Sequence, residues 1–254
     1  MKKIALSILV AILTVSLLAA CGQTNDSKQG EEKKTLIMGT SADFPPFESR
    51  DNEGNFVGFD IDLANYIAKE LGYELEIKDM GFDGLIGALQ TDRVDFVASG
   101  MSATDKRKES VDFSSEYHRS GEMIVTLKDS EIKNMEDLNG KKIGVQLGTI
   151  QEEGVKKLSE TMDLEMKTLD KVPSLIQELK SGRIDAIYLD KTVGEGYIKE
   201  LDLAGFDDES EGTPGMAIAF PKDSELVAEF NKVIEKMKEN GELEKLEEKW
   251  LSEE

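Results

Sequence analysis

Apolar and polar positions follow two rhythms along this chain, and one block of the pattern occurs twice. In Leu85-Ile86-x-x-Leu89-x-x-x-Arg93-Val94-Asp95-x-Val97, leucines at i and i+4 mark one helix face. A polar turn at Asp92 follows, and a β-branched run leads into a buried strand. Ninety positions on, Leu175-Ile176-x-x-Leu179-x-x-x-Arg183-Ile184-Asp185-x-Ile187 repeats the block with Gly182 at the turn. Each copy is preceded by a strand-like run: Leu36-Ile37-Met38-Gly39-Thr40 before the first, Ile143-Gly144-Val145-Gln146-Leu147-Gly148-Thr149 before the second. Two copies are too few for a solenoid, which stacks at least about three units. They predict two similar α/β lobes facing one another. Ligands in such folds bind beyond the carboxyl ends of the strands, where helix amino-termini point, so a cleft is expected between the lobes.

The rest of the pattern fills in the elements. Ala64, Ile67, Ala68 and Leu71 share a helix face that Asp60 could cap and Gly72 could end. Tyr73, Leu75 and Ile77 alternate with charged residues as in a half-buried strand. In the second half, a strand over 142–146, a helix after Thr149, a strand near Leu164, the repeated helix and the strand 184–189 continue the alternation. That order predicts largely parallel sheets. Two more apolar runs, 122–127 and 215–220, lie where the chain would leave and re-enter the first lobe. They are read as the hinge. Leu226, Phe230, Val233 and Met237 form one late helical face, and Leu243, Leu246 and Trp250 another, with Trp250 assigned to packing.

The first 20 residues read as a processing signal. Lys2 and Lys3 precede an apolar run from Ile4 to Ala20 that is short for a membrane-spanning helix. Leu18-Ala19-Ala20-Cys21 resembles a bacterial lipoprotein cleavage box, which implies a lipidated Cys21 at the mature amino-terminus. Cys21 is the single cysteine, so a disulfide within the chain is excluded. Residues 22–34 hold no apolar side chain and have the composition of a tether. The net charge is −21, and −23 without Lys2 and Lys3. Such a surface repels phosphate backbones, which argues against nucleic-acid binding.

Catalytic chemistry finds little support. His118 is the single histidine and lies among charges, as a surface residue would. There is no GxxxxGK[ST] loop and no close His or Cys cluster, so no metal, cofactor or catalytic residue is assigned. A free amino acid would need a forked cation for its carboxylate, an anion for its ammonium and apolar walls. Arg107 follows a small-residue turn after the first repeated strand, and Asp190 ends the second. Taken alone, Arg107 reads as part of a solvated basic run and Asp190 as a helix cap.

Further motifs bring these residues together. Thr40-Ser41-Ala42-Asp43-Phe44-Pro45-Pro46-Phe47-Glu48, Gly58-Phe59-Asp60-Ile61-Asp62-Leu63, the stretch 99–107, Val111-Asp112-Phe113-Ser114 and Gly148-Thr149 occur in order. The chain from about residue 35 to 252 thereby resembles the bacterial extracellular solute-binding proteins, family 3, of polar amino-acid ABC transporters. Val145 to Glu153 is most similar to the arginine-binding lipoproteins among them.

The resemblance implies a type II periplasmic-binding-protein-like α/β fold, with two lobes joined by a two-segment hinge around a ligand cleft. The expected organisation is a signal peptide at 1–20, the lipidated Cys21 and tether at 21–34, and lobe 1 at 35–120 plus 219–254. Lobe 2 is expected at 125–213 and the hinge at 121–124 and 214–218. By position, Arg107 would meet the α-carboxylate with the backbone N–H groups of Ser102 and Thr149. Asp190, the Gly100 carbonyl and the Ser102 hydroxyl would meet the ammonium. Phe44 and Phe82 would flank the side chain, with Ser41, Ser99, Gln146, Ile150 and Gln151 around it. Several family members carry Asp where this chain has Ser41. Recognition of a cationic side chain would then fall to Asp43, Glu48 or Glu152, or to the Gln146 carbonyl with stacking on Phe44 and Phe82.

The reading is therefore a monomeric, lipid-anchored receptor on the outer face of the cell membrane. It would bind a free, arginine-like amino acid and deliver it to the permease subunits of an ABC importer, performing no reaction. The alternatives are a dehydratase on the same scaffold and an amino-acid sensor domain.

Overall fold

The computed structural model describes residues 34–209 and 212–252. The leader, Cys21 and the tether up to residue 33 lie outside them. No helix among the described residues is long and apolar enough to cross a membrane.

The strands in chain order are β1 (Thr35–Thr40), β2 (Ser49–Arg50), β3 (Phe56–Val57), β4 (Glu74–Asp79), β5 (Phe96–Val97), β6 (Asp112–Phe113) and β7 (Glu122–Leu127). They continue as β8 (Lys141–Gln146), β9 (Leu164–Leu169), β10 (Ala186–Asp190), β11 (Leu203–Asp208) and β12 (Ala219–Phe220). Two five-stranded sheets result, ordered β4-β1-β5-β12-β6 and β11-β7-β10-β8-β9, with β2 and β3 a separate hairpin. Each sheet forms one lobe with its helices.

The repeated block does the same work in both lobes. Its helices, Leu85–Gln90 and Val172–Lys180, bury Leu85, Leu89, Leu175 and Leu179. Asp92 (φ 52°) and Gly182 (φ 69°) both turn the chain in the left-handed region. The Asp95 carboxylate then accepts from the Ile37 N–H at 2.7 Å, and Asp185 from the Lys142 N–H at 2.8 Å. Each repeat thus stitches its strand entrance to the lobe's leading strand, β1 or β8. Those strands pair in parallel with β5 and β10.

The sheets are mixed rather than largely parallel. Parallel pairs join β1 to β4 and β5, and β8 to β9 and β10. Antiparallel pairs join β7 to β10 and β11, and β12 to β5 and β6. Glu122, the first residue of β7, lies opposite Asp190, the last of β10. A strand that enters a lobe from the cleft edge must run away from it, against the strands whose carboxyl ends face the cleft. For the same reason Glu122–Ile124 belong to the second sheet, where both neighbours satisfy their backbone groups, and not to the 121–124 hinge segment. β11, which no motif marked, closes that sheet's edge.

Packing around each sheet is aromatic and aliphatic. Phe230, on the long helix Leu226–Asn240, meets Phe96 and Phe220 edge-on with centroids 5.0 Å from each, and all three are fully buried. Such pairs add roughly 0.5–1.5 kcal/mol each beyond area burial. Trp250 packs against the same core and donates its Nε1–H to Asp62 at 2.8 Å.

Two local expectations change. The helix Phe59–Glu70 begins at Gly58 with no side-chain cap. Asp60 sits inside its first turn, wholly buried, and accepts from the Gly100 N–H (2.7 Å) and the Tyr117 hydroxyl (2.8 Å). Long-range pairing has taken the carboxylate away from a local cap. His118 is half-buried rather than a surface residue, its ring 5.3 Å from that of Phe47. Burial lowers its pKa.

Candidate functional site

Arg107 is placed by a short helix, Asp105–Lys108, whose start is capped by Thr104 Oγ1 accepting from the Arg107 N–H at 3.2 Å. The guanidinium donates to the Ser102 carbonyl (2.8 Å) and, across the cleft, to the Gly148 carbonyl (3.0 Å). Its carbon lies 5.3 Å from the Phe82 ring centroid. Burial lowers its pKa to about 10, so it stays cationic at neutral pH. The flanking lysines differ from it. Lys106 pairs with Glu153 of the other lobe, and Lys108 with Asp105 on its own helix.

Asp190 does cap a helix, accepting from the Val193 N–H at 3.3 Å and from the Ser120 hydroxyl at 3.1 Å. It also lines the cleft pocket, so cap and candidate ligand group are one carboxylate. Burial pushes its pKa up to about 7. Thr149 caps the helix Ile150–Leu158 through Glu152, and its hydroxyl donates to the Gln146 carbonyl at 2.7 Å. The backbone N–H groups of Ser102 and Thr149 have no acceptor among the described residues.

One pocket between the lobes gathers Ser41, Phe44, Phe82, Gly100, Ser102, Arg107, Gln146, Thr149, Ile150, Gln151 and Asp190, together with Glu48 and Met216. Its atom-free space, counted together with the open solvent at its mouth, is about 370 Å³. Ser99 stands one layer behind. Its hydroxyl accepts from the Ser41 N–H (2.9 Å) and donates to Glu48 (2.8 Å). Glu48 had been considered from the sequence for a cationic side chain, whereas Met216, on the segment re-entering the first lobe, carried no signal.

The carboxylates considered for a cationic side chain have other engagements. Glu152 accepts from the Gly148 N–H (2.7 Å) and Lys156 (2.6 Å). Burial opposes its ionisation, but these partners hold its pKa below the usual range. Glu48 and Asp60 are both fully buried and electrostatically coupled. Desolvation, then the Asp60 charge, raises Glu48 well above its ordinary value. Two buried carboxylates that are coupled oppose each other's ionisation, and each leaves one oxygen, Glu48 Oε2 and Asp60 Oδ1, without a hydrogen-bond partner among the described residues. In the second lobe, Glu122 accepts from Gln151 at 2.6 Å and is raised to about 8 by burial.

A positive end and a negative group within one pocket between paired α/β lobes suit a small zwitterion. The model of the bacterial extracellular solute-binding proteins, family 3, matches residues 36–253. The chain belongs to that family. It is similar to the arginine-binding extracellular protein ArtP of Bacillus subtilis (strain 168), 48% identical over 99% of both chains. It also matches an ancestral arginine-binding protein solved with arginine, at 44% identity and TM-score 0.82, over 87% of this chain and 99% of that one. An ancestral arginine-binding protein solved with glutamine matches at 45% identity and TM-score 0.82 over the same shares. Family 3 proteins are extracellular solute binders, which places this chain outside the cytoplasm and supports a substrate-binding role.

Proposed function

We propose that this family 3 protein binds an amino acid with a basic, arginine-like side chain by closing its lobes, and presents it to the permease subunits of an ABC importer. The observation that carries the proposal is the polarity of the pocket. Arg107 and the unengaged N–H groups of Ser102 and Thr149 suit an α-carboxylate, and Asp190, the Gly100 carbonyl and the Ser102 hydroxyl suit an α-ammonium. Each ligand charge then gains a hydrogen-bonded, opposite partner on leaving water. Phe44 and Phe82 supply the apolar walls. Residues 121–124 and 214–218 bracket the two crossings between lobes, with the first crossing confined to the residues before β7. The protein acts as a monomer held at the outer membrane face by lipid on Cys21.

A ligand that touches both lobes favours the closed form and shifts the population toward it. A thermal-shift screen of the twenty amino acids tests the proposal, since a ligand at 100 times its Kd adds roughly 2.7 kcal/mol of stability. Arginine should give the largest shift, followed by lysine, histidine or glutamine. Leucine or glutamate exceeding all four would overturn the specificity. No shift with any amino acid would overturn the function.

A further inference from the structure

Two polar groups of the pocket wall turn their hydrogens away from the ligand space, and both turn them toward one acid. Gln146 Nε2 donates to Asp43 Oδ1 at 3.2 Å and to the Asp170 carbonyl at 3.0 Å. Both amide hydrogens are thereby used. A backbone carbonyl can only accept, so the alternative orientation of this amide would set two acceptors against each other. Gln146 Oε1 receives no hydrogen bond among the described residues and is not a buried orphan, which leaves it to the pocket. The Ser41 hydroxyl donates to Asp43 Oδ2 at 3.3 Å, so toward the ligand it offers lone pairs.

Asp43 is not itself in the pocket wall. It is 6% exposed, with Lys171 of the other lobe 3.8 Å away. Burial raises its pKa to about 6, so near neutral pH it is a carboxylate able to accept on both oxygens. The remaining carboxylates of the site are engaged elsewhere: Glu152 by Gly148 and Lys156, Glu48 by the Ser99 hydroxyl, and Asp190 by the proposed ammonium.

We propose that Asp43 is a specificity-determining residue: by holding the hydrogens of Gln146 and Ser41, it makes their part of the wall an acceptor-only surface that selects a side chain ending in several N–H donors. This rests on the amino-acid-binding reading above and names how a cationic side chain is recognised without a bare carboxylate at its tip. The Asp43 charge behind the Gln146 amide adds attraction for a cation. A side chain that presents a carbonyl there meets two acceptors and is disfavoured. Gln146 lies on the second lobe and Asp43 on the first, so the selective surface is complete only when the lobes are together.

The test is calorimetric titration of the protein with L-arginine and with L-citrulline, which has the same shape but a neutral group with a carbonyl in place of one guanidinium nitrogen. The unsubstituted protein should prefer arginine by about tenfold to a hundredfold, the worth of hydrogen bonds to a charged group. In Asp43→Asn the negative charge behind Gln146 is lost and only one side-chain acceptor oxygen remains, so Gln146 stays held by that oxygen and the Asp170 carbonyl while the Ser41 hydroxyl is freed to donate toward the ligand. The arginine preference should then fall to near one, with arginine weakened and citrulline held or strengthened. Taking the ratio of two ligands on one variant cancels any partial loss of folding. An equal loss for both ligands, or an unchanged ratio, overturns the inference. Should Asp43→Asn fail to fold, Gln146→Leu decides, because it removes the acceptor and leaves Asp43 in place, and an unchanged ratio there is equally fatal. If the unsubstituted protein binds neither ligand, the amino-acid-binding reading falls as well. A clear arginine preference that neither substitution moves removes only the role given to Asp43.

Discussion

Acidification from pH 8 to pH 6 should weaken arginine binding about tenfold, and the cause should be Asp190. Without ligand its pKa is raised to about 7 by burial, against hydrogen bonds from Val193, Ser120 and Thr192. An α-ammonium beside it would stabilise the ionised form and return the value to or below the ordinary carboxylate range near 3.9. Ligand and proton then compete. The apparent Kd is multiplied by one plus the ratio of protonated to ionised Asp190, which is about 1.1 at pH 8 and about 11 at pH 6. Neighbouring groups leave this window readable. Arg107, lowered to about 10, stays charged, and Glu122, raised to about 8, is protonated across most of it. Asp43, at about 6, adds to the loss only at the acidic end. Titration calorimetry at pH 6, 7 and 8, in two buffers of different ionisation enthalpy, measures both the affinity and the protons released. At pH 6 nearly one proton should leave per ligand bound, and Asp190→Asn should abolish the release along with much of the affinity. A Kd that is flat from pH 6 to 8 with no proton release would refute the pairing of Asp190 with the ammonium.

Arg107→Ala should weaken binding by roughly 2–5 kcal/mol, the cost of leaving one charge of a buried pair without its partner. Lys108→Ala should change nothing, and Lys106→Ala should lose at most about 1 kcal/mol, as for an exposed ion pair spanning the lobes. Equal losses in calorimetry for all three would remove Arg107 from the clamp. Gly148→Ala should lower affinity while leaving a folded protein, because the residue has φ 80° and an added Cβ would sit 2.9 Å from the Asp83 Cα of the facing lobe. Unchanged affinity there would mean that the lobes do not meet at Gly148 when ligand is bound. Cys21→Ala should release the protein from the membrane fraction, and a substituted protein still carrying lipid would end the anchor proposal.

Much of the architecture was legible because it is written locally and twice. Leucines at i and i+4, a left-handed turn and a strand entrance recur, each acting within about a dozen residues, and both copies end in the same Asp-to-backbone contact, which spans 58 positions in the first lobe and 43 in the second. The antiparallel strands were not legible in that way. Nothing in the apolar run of β7 states its direction, which follows from where the hinge delivers the chain to the second sheet. The candidate site divides along the same line. Motifs marked Arg107, Asp190 and the Ser102 turn, whereas the fates of Glu48, Asp60 and Asp43 depend on partners far along the chain. Asp60 was read as a cap because caps are local, yet its partners are Gly100 and Tyr117, 40 and 57 positions away.

That division bears on how such a pocket acquires its preference. The groups placed to meet the zwitterion stand on short motifs at the cleft edge, and they serve any amino acid. The groups that can tell one side chain from another act through a second layer. Asp43 reaches 103 positions along the chain to orient Gln146, and Glu48 and Asp60 hold the turn at Ser99 and Gly100. A substitution in that layer changes which hydrogens face the ligand without changing a wall residue. Two proteins with the same wall residues can therefore prefer different side chains, and a comparison of pocket residues alone would miss the reason. In this chain the hydroxyl of Ser41 lines the pocket, and Asp43, two residues on, holds a charge one layer back. The charge acts from there while contact with the ligand falls to an oriented amide and hydroxyl, which favours a side chain by its donors as well as by its charge.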